Sequence, residues 1–124
     1  RTGPAERAMI VIAGTVRVPP ENIDKARPHM EAMVTASRAE AGCTSYSYAQ
    51  DMLDPGIIHV IEVWESDAAL KAHFEMPHMA AWRAVWPSLE IGDRNLTRYT
   101  DNIGIARHVG CDGDVKNDVA EVID

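Results

Sequence analysis

The chain has 124 residues, 46% hydrophobic and 25% charged, the balance of one folded domain large enough for a single core. Lys and Arg total 12 against 19 Asp and Glu, and a net charge of −7 repels phosphate backbones and anionic lipid, so neither nucleic acid nor a membrane is expected as partner. No apolar run nears the ~20 residues of a bilayer span, RTGPAERAMIVIAG lacks a signal-peptide layout, and Cys43 and Cys111 stand far apart without CxxC spacing, so reduced thiols in a cytoplasmic protein are expected.

Residues 1–8 form a polar lead-in. MIVIAGTVRV (9–18) is dense in β-branched residues and reads as the first strand, ended by Pro19-Pro20. From Glu21 onward Ile23, Ala26, Met30, Met33, Val34, Ser37 and Ala41 recur at three- and four-residue steps, the stripe of a long amphipathic helix. Pro28 lacks the N–H that would reach the Asp24 carbonyl, so that helix is expected either to kink or to start near Arg27. Gly42 supplies a left-handed stop.

CTSYSYAQD (43–51) puts Tyr46 and Tyr48 on one face, DPG (54–56) turns the chain, and IIHVIEVW (57–64) returns to complete an antiparallel hairpin. Ser66 is placed to cap a helix with Leu70, His73 and Phe74 on one face. Pro77 interrupts it and can open a second short helix carrying Met79, Trp82 and Trp86, which Pro87 closes. LTRYT (96–100) is the last strand. Residues 101–124 read as a C-terminal extension, where Val115, Val119, Val122 and Ile123 follow Asp114 at helical spacing: a short docking helix or a frayed end.

Strand, helix, strand, strand, helix, strand over residues 9–100 is an α+β, ferredoxin-like βαββαβ arrangement. Helices cover one face of such a sheet. In a chain this small a second copy is the expected cover for the other, giving a homodimer with sheets packed face to face.

Chemistry concentrates in HVIEVWESDAALKAHFEMPHMAAW (59–82), which holds three of the five histidines and two of the three tryptophans. A metal is not expected. His73 and His78 lie ~140° apart on an ideal helix, with Pro77 between them, unlike the four-residue spacing of helical zinc pairs. Only convergence of His59, His73 and His78 in space would hold an ion, and no neighbouring Asp, Glu or Cys completes a pattern. No Gly-x-Ser-x-Gly elbow or Gly-rich phosphate loop occurs.

What remains is a semi-apolar cavity. On the third strand Ile58, Val60, Glu62 and Trp64 share one face. If that face meets the helices, Trp64, His73, Phe74, Met79 and Trp82 enclose one space suited to a planar aromatic ligand, with Tyr46 or Tyr48 donating to a ligand oxygen. Taken singly, Trp64, Phe74, Met79 and Trp82 serve equally as core. His73 must satisfy two ring nitrogens in either role, and His59 also suits a hydrogen-bonding place in the sheet. Glu62, facing inward, is either a catalytic base or half of an ion pair with Arg83 or Arg38.

These residues carry a family signature. Gly42-Cys43, Tyr46, Tyr48, Gln50-Asp51, Asp54-Pro55, Glu62, Trp64-Glu65-Ser66, Ala72-His73 and Pro77-His78 resemble the antibiotic biosynthesis monooxygenase domain family and, within it, the quinol monooxygenases. The likeness runs from Met9 to Tyr99. It implies a dimeric α+β barrel and an enzyme that oxygenates a quinol or polycyclic phenol with O2 and no cofactor, neither flavin, haem nor metal. In such chemistry a base removes a phenolic proton, the substrate anion reduces O2, and apolar walls keep water from the intermediate.

Carried onto this chain, His73 or His78 is the base or oxyanion partner, and Trp64 and Trp82 are stacking walls. Haem-degrading relatives need an Asn on the first strand, where Ala13-Gly14-Thr15 stands, and a haem-ligating His where Trp82-Arg83-Ala84 stands. Two further readings stay open beside the oxygenase: a binding or stress-response module that holds such aromatics unchanged, and a haem protein.

Overall fold

The computed structural model describes residues 9–101 and 119–123. Along the chain run β1 (Met9–Arg17), α1 (Ile23–Arg38), β2 (Cys43–Gln50), β3 (Ile57–Trp64), α2 (Asp67–Phe74), α3 (Pro77–Ala84), α4 (Trp86–Leu89), β4 (Gly92–Asp101) and β5 (Val119–Ile123). The strands make one antiparallel sheet in the order β2-β3-β1-β4-β5. Its first four strands have the ferredoxin-like order, so the α+β class and the expected succession of elements hold.

Alternation decides which face of the sheet is the core. Ile10, Ile12 and Val16 of β1, Tyr46 of β2, Ile58, Val60 and Trp64 of β3 and Leu96 of β4 are buried together. Against them α1 lays Ile23, Ala26, Met30, Met33 and Ser37, the stripe that the three- and four-residue steps predict. Burying each of Ile23, Met30 and Met33 contributes about 1.5–3 kcal/mol. On the opposite face Val11, Ala13, Ile61, Val63 and Tyr99 are neighbours across β3, β1 and β4, with Ile61 and Tyr99 exposed.

Several boundaries differ from expectation. The first helix starts at Ile23, not Arg27, and runs through Pro28. Pro28 is exposed, so the Asp24 carbonyl it leaves unpaired lies toward water, which lowers the usual cost of an interior proline. That helix ends at Arg38, before Gly42. Pro87 opens α4 rather than closing α3. The last core strand begins at Gly92, four residues earlier than LTRYT.

The tail is corrected as well. Residues 119–123 pair with β4, Leu96 opposite Ile123 and Thr100 opposite Val119, so this stretch is a fifth strand and not a docking helix. Its β-branched valines suit a strand, and an open edge of β4 offers the backbone partners. The lead-in, Cys111 and Val115 lie outside the described residues. Among those described, no helix is long and apolar enough to cross a membrane.

Candidate active site

Ser66 caps α2 by accepting from the Ala69 N–H at 3.1 Å, and this sets the helical register that turns Leu70 and His73 inward. Pro77 then starts α3 in a new direction. The ~140° separation of an unbroken helix no longer applies, and His78, second in α3, points back toward His73. The third partner comes from the turn after α1. Gly42 has φ +86° and lies so close to α2 that a Cβ would stand 2.5 Å from that of Ala69. This close approach brings Glu40 against the helix pair.

Glu40 Oε2 therefore stands 2.6 Å from His73 Nδ1 and 2.7 Å from His78 Nε2. The Glu40 carboxyl oxygen accepts from both imidazoles, and His73 presents its other nitrogen to the Tyr46 hydroxyl at 3.4 Å. His73 is fully buried and Glu40 nearly so, whereas His78 is about one-fifth exposed, at 22%. The Trp64 and His73 rings lie 4.6 Å apart. Tyr46 meets His73 edge-on at 5.3 Å and stacks on Tyr48 at 5.9 Å. Burial lowers the His73 pKa despite the opposing pull of Glu40.

Glu62 lies opposite Tyr46 across the β2–β3 ladder and is 5% exposed. Its Oε1 accepts from Trp64 Nε1 at 3.0 Å. Neither Arg that could have paired with it does so: Arg38 donates to the Tyr46 carbonyl and Arg83 to that of Phe74. Burial is the largest influence on Glu62 and carries its pKa from 4.5 to about 7, with the hydrogen bond from Trp64 pulling the other way. Burial also raises both tyrosines above the ordinary phenol value, with negative Glu62 adding to it.

Of the residues singled out in the sequence, Tyr46, Glu62, Trp64, His73 and His78 converge, while Tyr48, Met79 and Trp82 form the adjoining wall; Tyr48 and Trp82 meet edge-on at 6.2 Å. Phe74 is not part of it, being 42% exposed at the end of α2. His59 lies on the other face of the sheet, exposed and 2.7 Å from Asp51. Trp64, His73, Met79 and Trp82 are buried and Phe74 is exposed, which corrects the expectation that these five enclose one hollow.

A cleft of about 290 Å³ lies beside them, between α1 and β2, lined by Met30, Val34, Arg38, Tyr48 and Ile58 among others. Tyr48 belongs both to this cleft and to the buried aromatic stack. Glu40 escaped sequence reasoning because its two histidine partners lie over thirty residues away with no local spacing to mark them, and the α1 side of the cleft escaped it as well.

A family model described as antibiotic biosynthesis monooxygenase matches residues 9–85. An uncharacterized protein, sll1783 of Synechocystis, is 35% identical over 69 residues, 56% of this chain and 47% of that one, so this chain spans about half of that relative's length. A Bacillus subtilis protein named "Putative monooxygenase YcnE" is 29% identical over 76 residues, covering 61% and 80% of the two chains. Among solved structures, PA3566 from Pseudomonas aeruginosa superposes with a TM-score of 0.64 at 28% identity, covering 79% of this chain and 95% of that one.

Proposed function

This chain belongs to the antibiotic biosynthesis monooxygenase family, and from that premise we propose that it oxygenates a small phenolic or quinol substrate with O2 in the cleft between α1 and β2. The observation that carries this reading is Glu62, a carboxyl closed from water and held by the Trp64 indole, with burial pushing its pKa up to about 7. A base poised there accepts a phenolic proton at neutral pH without being fully ionised beforehand.

Tyr48 lines the cleft and stacks on Tyr46, which lies opposite Glu62 across the β2–β3 ladder, and burial keeps both phenols protonated. The His73–Glu40–His78 chain holds Tyr46 from the other side. With a naphthoquinol, one oxygen atom of O2 enters the ring to give a hydroxynaphthoquinone and the other leaves as water. The substrate supplies all four electrons, so neither flavin, haem nor metal is needed for the balance. Met30, Val34 and Ile58 give the cleft an apolar part, beside the polar side chains of Arg27, Glu31, Thr35, Arg38 and Gln50.

Oxygen uptake by the protein with a panel of reduced naphthoquinones tests this directly. Uptake above the spontaneous rate, with a hydroxylated product in the mass spectrum, is expected; no enhancement with any quinol removes the reading. A second reading, a carrier that binds such aromatics without converting them, draws on the tight packing around His73 and Glu62. It requires saturable Trp quenching with the ligand recovered unchanged.

We also propose that the chain works as a homodimer, closed through the sheet face bearing Val11, Ala13, Ile61, Val63 and Tyr99. A contiguous patch of this kind on a single copy leaves apolar area in water that a second copy removes.

A further inference from the structure

We propose that Glu40, His73 and His78 form a binding site for a first-row divalent transition-metal ion, with Glu40 Oε2, His73 Nδ1 and His78 Nε2 as its protein ligands. The three ligand atoms lie within 4.8 Å of one another, the two nitrogens at 2.6 and 2.7 Å from the shared oxygen. Tetrahedral coordination with bonds of about 2.0–2.2 Å separates ligand atoms by roughly 3.3 Å. Each imidazole needs to draw back from the carboxylate by less than an ångström.

The donor set selects the class of ion. Two imidazoles and one carboxylate suit Zn2+, Co2+, Ni2+, Cu2+ or Fe2+, whereas Mg2+ and Ca2+ favour shells built from oxygen. The outer shell fits as well. His73 turns Nε2 toward Tyr46 Oη at 3.4 Å and rests against the Trp64 ring, which fixes the imidazole with Nδ1 facing the site. His78, the one partly exposed ligand, marks the side from which an ion enters. Three ligands leave a coordination position for water or a small anion.

The ligands come from the turn after α1, the last turn of α2 and the first turn of α3, so no spacing in the sequence betrays them. A bound ion ties these three elements together, and binding to the folded state alone raises the melting temperature. The site goes beyond the oxygenase reading, in which Glu62 accepts the proton, and its test reads binding rather than turnover.

Untagged, metal-stripped protein is titrated with Co2+ and followed by visible d–d absorption, then challenged with Zn2+ and with Mg2+. Saturation at a single equivalent, displacement by Zn2+ and indifference to Mg2+ are expected, with a rise in melting temperature. H78A, at a partly exposed position, and E40Q, which keeps a hydrogen-bonding side chain, each weaken Co2+ binding by about tenfold or more. H59A, on the far face of the sheet, leaves it unchanged. Absence of a saturable Co2+ spectrum in the wild-type protein overturns the proposal. So does wild-type affinity in folded H78A and E40Q.

Discussion

Glu62 meets two opposing demands, an inward place on β3 and a carboxyl that prefers water. Alternation with Ile58, Val60 and Trp64 makes its inward direction legible in the sequence, but its partner is the indole two residues along the same face rather than an arginine. Glu62→Gln keeps an acceptor for Trp64 Nε1 and removes the ionisable group. Turnover is expected to fall by about 10²–10⁴-fold, and the rise of the wild-type rate through pH 7 to vanish, in a pH series of oxygen-uptake measurements.

The same substitution has an opposite effect on stability. At pH 4.5 the group is largely protonated in the fold and half so in the unfolded chain. As pH rises toward 7 the unfolded chain loses that proton first, so the folded state is progressively disfavoured up to the folded value of about 7. Relative to wild type, Glu62→Gln should gain on the order of 3 kcal/mol between pH 4 and pH 8, measured by urea unfolding at each end. A difference that does not change with pH contradicts the buried titration. Glu40 illustrates the reverse case, because nothing in AEAG announces that a carboxylate there will meet two histidines from another part of the chain.

Among the elements, β1 and β4 depend on a glycine whose role is invisible in isolation. Gly14 adopts φ +155°, and a Cβ there would stand 1.9 Å from the Asn95 carbonyl oxygen and 2.9 Å from Leu96 Cα, both backbone atoms of β4. Backbone cannot swing aside as a side chain does. Gly14→Ala is therefore expected to cost about 2–4 kcal/mol, read as a lowered urea midpoint, and an unchanged midpoint would contradict the close approach. Helix α1, by contrast, was readable from its stripe alone, although the position of Pro28 on its solvent side was decisive for where it begins. The 119–123 segment shows how periodicity misleads at short length. Its valines satisfy a helical spacing, yet an unpaired strand edge recruits them as β5.

At the scale of the whole molecule, one sheet with helices against one face leaves the other face to be accounted for. Ile61 is 46% exposed at the centre of that face, between Ala13 and Ser47 on the neighbouring strands. Ile61→Asp should convert a dimer to monomer in light scattering after gel filtration, with secondary structure retained by circular dichroism. A wild-type protein that already elutes as a monomer removes the dimer proposal.

The sequence by itself determined the βαββαβ order over residues 9–100, the inward faces of α1 and β3 and the concentration of chemistry between residues 59 and 82, because periodicity and capping act over a few neighbouring residues. Tertiary structure alone decided that Glu40 joins His73 and His78, that a cleft opens between α1 and β2 beside the aromatic cluster, and that Phe74 and His59 stand apart. These outcomes depend on how separate elements pack, through Gly42 against α2 and the break at Pro77, and packing between distant segments leaves no period in the chain to read.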